Sequence, residues 1–158
     1  MYNTLPVGVS EDGYYTYKAG IDSPYVSGEF QIASGIVCKA VAQMGDYLVV
    51  AVKKSDGVYL YYASGTLGSL TFTSQKILSS TEAEPLGLAY AVGLYMMPYT
   101  EGGVLKLWAA GTLAAFGTVL NAGLAKLSSY TYGGITTDGG AVGITGYNGT
   151  TARVVKIS

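Results

Sequence analysis

Four tight turns recur along this chain at a spacing no single sheet or helix would produce. A glycine closes each of them, at Gly13, Gly57, Gly103 and Gly149, with separations of 44, 46 and 46 residues. The residue before the glycine is Asp12, Asp56, Gly102 or Asn148. Asp-Gly and Asn-Gly are the strongest short hairpin signals, because a type I′ turn requires positive φ at both central positions. Gly-Gly meets the same requirement. The tripeptide Gly65-Thr66-Leu67 also returns 46 residues later as Gly111-Thr112-Leu113. A fixed period of this length marks a repeated supersecondary unit.

The segments flanking each turn predict strands. Before the turns run Leu5 to Val9, Tyr47 to Val52, Leu94 to Met97 and Ala141 to Ile144; after them run Tyr14 to Tyr17, Val58 to Tyr62, Val104 to Trp108 and Ala152 to Val155. All are β-branched, aromatic or apolar and bounded by turn residues. Two further strands fit each unit. One is predicted at Glu29 to Ile32, Leu70 to Thr73 and Phe116 to Leu120. The other precedes the hairpin, at Val37 to Ala42, Leu86 to Tyr90 and Gly133 to Thr136, where small residues suit a crowded innermost strand. The expected phase is three, four, four and three strands, in units of approximately 1–35, 36–80, 81–125 and 126–158 within one domain.

Four antiparallel strands in roughly 46 residues resemble the blade of a β-propeller. The resemblance covers nearly the whole chain and predicts an all-β, propeller-like array of about 3.5 blades. Tyr47 to Ser64, with its Ser55-Asp56-Gly57 turn, is similar to repeats of sialidase-type propellers and of phage propeller proteins. The Trp expected after the sialidase Asp box is missing, and Trp108 is the only tryptophan. Sialidase activity is therefore not implied. Incomplete units at the two ends imply a small ring with three-stranded end blades, or chains that complete one another as a homo-oligomer.

The residues exclude most catalytic classes. Without a single His the chain lacks the commonest general base and metal ligand. Cys38 is alone, so it forms no internal disulfide and reads as a small buried residue. No phosphate-cradling loop occurs, and the glycines between 133 and 149 read as turns. Paired carboxylates remain open for glycoside chemistry. Asp46 and Asp138 stand two repeats apart, and the ordinary role of Asp in such a turn is to cap it. No cofactor and no metal site are expected.

Charged residues make up 12% of the chain and the net charge is −1, which leaves no basic footprint for nucleic acid. Leu107 to Ala125 carries no charge over a length that could span a bilayer, but the repeat places it on two strands and a loop, so no membrane span is expected. The Asn148-Gly149-Thr150 sequon matters only on a secretory route, and no basic residue precedes Lys18 as a secretory leader would require.

By the propeller resemblance, ligands meet the face built from the hairpin turns and the loops that join units. That face is expected to hold Asp12, Lys54, Asp56, Tyr99, Glu101, Tyr147 and Asn148, with Ser79 to Glu82 and Glu84 beside them. Low charge, richness in Gly, Thr and Tyr and the absence of His fit a non-enzymatic structural or binding protein of a phage virion. Its role would be capsid decoration, a tail part or host-receptor contact, with other copies or virion proteins as partners. The alternative is a soluble lectin-like protein that binds a surface glycan.

Overall fold

In the computed structural model, residues 2–114, 117–120, 124–138 and 140–157 are described. They form an all-β structure of four consecutive antiparallel sheets. The first sheet contains β1 (Val7–Val9), β2 (Tyr14–Tyr17) and β3 (Phe30–Gln31), paired in that order. The second contains β4 (Val37–Met44), β5 (Tyr47–Lys54), β6 (Gly57–Ala63) and β7 (Thr73–Leu78), again in chain order. In the third, the short strands β8 (Glu84–Pro85) and β9 (Ala89–Ala91) share one edge of β10 (Leu94–Glu101), followed by β11 (Val104–Ala110) and β12 (Thr118–Leu120). A 3₁₀ turn at Leu124–Leu127 leads to the fourth sheet, β13 (Thr131–Thr137), β14 (Val142–Tyr147) and β15 (Ala152–Ile157).

Pro98 explains why the first strand of the third sheet is broken. Its carbonyl accepts from the Leu86 amide on that side. In an antiparallel strand a residue's N–H and C=O point the same way, so proline offers no donor there. The partner strand is interrupted between Pro85 and Ala89, opposite this gap.

The sheets pack face to face in chain order, which produces three cores. Tyr15, Ile32, Leu48, Val50 and Val52 join the first sheet to the second. Val49, Ala51, Leu60, Met97, Tyr99 and Trp108 join the second to the third. Met96, Leu107, Ala109, Val142 and Ile144 join the third to the fourth. Strand β5 therefore sends Leu48, Val50 and Val52 to one interface and Val49 and Ala51 to the other, and all five are buried. This double burial turns the alternation of a half-exposed strand into an unbroken apolar run. No core among the described residues contains side chains from both the first and the fourth sheets.

Several sequence expectations shift. The last strand of the second sheet is Thr73–Leu78 rather than Leu70 to Thr73. Leu70 and Phe72 instead pack against the first core from irregular backbone. Strand β4 is not crowded on both faces, since Val37 and Val41 are 39% and 42% exposed. The glycines at 133, 134, 143 and 146 lie within β13 and β14 rather than in turns. At Gly146 an added Cβ would stand 2.7 Å from the Cβ of Tyr130, so close packing and not turn geometry excludes a side chain. Phe116, placed on the strand before Leu120, lies outside the described residues. Where described, Leu107 to Leu120 falls on β11, β12 and the turn between them, and no helix among the described residues is long and apolar enough to cross a membrane.

Candidate functional site

The strand registers gather the charged chemistry at one end of the sheets. Strands β5 and β6 meet in a tight turn at Lys54 to Gly57, and Leu78 pairs with Val58 beside it. The loop from Ser79 therefore leaves from the same end. Glu84 enters the third sheet opposite Thr100, next to the turn at Gly102-Gly103. The hairpin turns and the unit-joining loops thus share one end, as antiparallel pairing in chain order requires.

All five ion pairs among the described residues lie there. Lys39 Nζ stands 3.9 Å from Glu11 and 3.8 Å from Glu84. Glu84 also pairs with Lys53, so one carboxylate bridges two lysines across the boundary between the second and third sheets. On the second sheet, the Asp56 carboxylate accepts from Lys76 Nζ at 2.9 Å and from the Tyr59 hydroxyl at 2.7 Å. These two bonds hold Asp56 below the usual carboxylate range, and the same contacts raise Lys76 and Tyr59. Lys54 Nζ sits 4.5 Å from the Tyr59 ring centroid and 5.2 Å from that of Tyr61, a cation–π arrangement. Glu101 pairs with Lys106 and is held low by that bond and by Ser80.

The predicted face is only partly assembled. Lys54 and Asp56 are brought together through Tyr59. Glu101 lies on the third sheet, and Asp12 is exposed in the first turn. Tyr99 does not reach the face: it is 2% exposed within the core between the second and third sheets, and burial raises its hydroxyl pKa. Asn148 is committed to its turn, where Oδ1 accepts from the amides of Thr150 and Thr151. The exposed Tyr147 donates to the Gly149 carbonyl beside it. Asp138 likewise caps its own turn, accepting from Gly140 and Ala141 amides at 2.9 and 2.8 Å, which lowers its pKa. The Asp46 carbonyl accepts from the Tyr2 hydroxyl. Cys38 is half-buried, and desolvation followed by the charge of Asp12 pushes its pKa up to about 11.

Among the described residues, open concavities at this end include two of note. One of about 420 Å³ is lined by Gly35, Val37, Lys39, Lys53, Lys54 and Ser55. The other, of about 320 Å³, lies between the third and fourth sheets. Its walls include Leu86, Leu105 and Leu127, and its hydroxyl groups come from Thr100, Ser128, Tyr130, Thr131 and Tyr132, with no charged residue among them. Sequence reasoning missed this crevice. The available signal was the hydroxyl-dense run Ser128-Ser129-Tyr130-Thr131-Tyr132 in the last unit-joining segment.

Comparison with protein-family models and with curated proteins returns no match to this sequence.

Proposed function

We propose that the chain is a non-enzymatic structural and binding protein that associates with copies of itself, as a component of a phage virion. The observation that carries this reading is the state of the two end sheets. Each has three strands where the inner two have a full set. Among the described residues no strand pairs with the outer edge of β1 or with that of β15, and these edges lie at opposite ends of the strand order. The outward face of the first sheet carries Gly8, Thr16 and Gln31, with Tyr25 beside Gly8, and that of the fourth carries Gly143, Thr145, Val154 and Lys156. Val154 is 62% exposed. Unpaired edges and uncovered faces are pairing surfaces unless they are blocked. A fourth sheet packed against the first sheet of another copy would repeat the internal stacking, a head-to-tail contact that generates a ring if the rotation closes. The units would then act as propeller-like blades. The virion assignment rests on low charge and Gly, Thr and Tyr content, and its test is co-purification with intact particles.

Light scattering of the purified chain across a concentration series tests the assembly. A mass that is a fixed multiple of 16.4 kDa is expected. A strict monomer at every concentration overturns it.

A second reading, a lectin-like glycan-binding protein, is favoured by one observation, the uncharged crevice between the third and fourth sheets.

A further inference from the structure

We infer that the crevice between the third and fourth sheets is a single binding site for a neutral sugar ring. The inference rests on the glycan-binding reading and is independent of self-association.

The boundaries between sheets differ in kind at the charged end. At the second, Glu84 ties Lys39 and Lys53 together across the junction, and those two lysines also line the concavity of the second sheet. Among the described residues, the third combines apolar walls with unengaged hydroxyls. Thr100, Ser128, Tyr130, Thr131 and Tyr132 line it, and none of these side chains hydrogen-bonds to another protein group among the described residues. Hydroxyl groups both donate and accept, which matches the alternating needs of sugar hydroxyls. Leu86, Leu105 and Leu127 and the tyrosine rings offer surface to the C–H face of a pyranose. The volume of about 320 Å³ stands at the small end of ligand pockets, which run from roughly 300 to 1,000 Å³. With no charged lining residue, an ionised carboxylate or phosphate would lose hydration without gaining a partner.

The wall is also held in place. Arg153 stacks over the Tyr130 ring at 5.4 Å and donates from Nη1 to the Lys126 carbonyl at 3.1 Å. The Tyr132 hydroxyl stands where a side chain on residue 87 would be, since a Cβ on Gly87 would lie 2.6 Å from it. Gly103 leaves the rim open, with nothing within 4 Å of the position a Cβ would take. Such fixed walls reduce the ordering cost of binding. The other boundaries lack this construction, so one site per chain is expected.

Saturation-transfer NMR on the full chain is the test. The probes are methyl glycosides of glucose, galactose, mannose and N-acetylglucosamine, with N-acetylneuraminic acid and galacturonate as the acidic arm. Transfer from at least one neutral sugar is expected, with Kd on the order of 1 mM. Tyr130→Ala should weaken it at least about tenfold, equivalent to about 1.4 kcal/mol. Tyr130→Phe and Ser128→Ala keep the packing while removing a hydroxyl, and should each weaken it about threefold; they carry the test if the alanine variant does not fold. Lys54→Ala, at the lysine-lined concavity of the second sheet, should leave it unchanged. Binding of acidic sugars alone overturns this inference and leaves the glycan reading standing. Neutral binding insensitive to Tyr130 and Ser128 overturns the placement. No transfer from any probe overturns both.

Discussion

Val92 and Gly93 join β9 to β10 with φ of +50° and +77°. A β-branched residue pays roughly 1–2 kcal/mol in the left-handed region, where Asn is tolerated. Val92 is 48% exposed and therefore contributes little packing in return. Val92→Asn should stabilise the chain by about 1 kcal/mol, seen as a rise in Tm of about 2–4 °C by calorimetry. Titration acts at the same scale. Asp56, Glu101 and Asp138 are held below their usual values, so their contribution is present above about pH 4 and is lost as pH falls through the lower folded values. Lys76 and Lys106 are raised, so their contribution is present below about pH 10 and is lost as pH rises through the higher folded values. Tm should be flat from about pH 5 to 9 and fall below pH 4, and the double variant Asp56→Asn/Glu101→Gln should shrink the acid fall. Thiol chemistry follows as well: at pH 8 Cys38 should react with iodoacetamide at least about tenfold more slowly than a free cysteine. Residue type alone placed Asp56 and Lys54 at an accessible turn. It could not separate them from Tyr99, because an alternating strand offers each side chain two destinations and only the neighbouring sheet decides which is buried.

Among the elements, the hairpin turns were the most legible, since Gly57 needs φ of +139° and few other residues accept it. A Cβ there would also stand 2.1 Å from the Leu78 carbonyl oxygen. Gly57→Ala should destabilise by at least about 1–3 kcal/mol, measured by urea unfolding. Strand β7 was less legible for a physical reason. Leu70-Thr71-Phe72-Thr73 alternates like a strand, but its apolar side chains serve the first core from a loop. The true edge, Thr73–Leu78, carries Ser, Gln and Lys because an outer strand needs little burial. Trp108 in β11 gives a paired test. Its ring is fully buried, and among the described residues its Nε1 has no hydrogen-bond partner. Trp108→Ala should cost about 3–5 kcal/mol, whereas Trp108→Phe should cost distinctly less, because it also removes an unsatisfied donor worth about 1–3 kcal/mol.

For the whole molecule, the expected phase of three, four, four and three strands was readable because each sheet is closed by its own turns. How the ends are covered was not, since the residues facing outward on the first and fourth sheets mix small, polar, apolar and charged side chains, from Gly8 and Thr16 to Val154 and Lys156. If the fourth sheet meets another copy, a charge at Val154 must disrupt that contact while leaving the monomer folded. Val154→Arg should convert any assembly to a 16.4 kDa species by light scattering, with an unchanged far-ultraviolet spectrum. The hydroxyl-dense run from Ser128 to Tyr132 was legible, but the crevice it lines was not, because the crevice is built from two units whose spacing is set by the core beneath.

One contact near the start of the chain bears on the order in which the parts come into being. The Tyr2 ring is buried at 1%, and its hydroxyl donates to the Asp46 carbonyl and accepts from the Gly65 amide. Both partners belong to the second sheet or its flanking turn, as much as 63 residues downstream. On a ribosome the first strands would emerge before the second-sheet groups that hold Tyr2. They must wait for the second sheet to be made, and only then fold back onto it. Synthesis and folding would thus run in opposite directions at this end, and a nascent chain stalled before Gly65 should remain open to protease at Tyr2 while one released beyond it is protected.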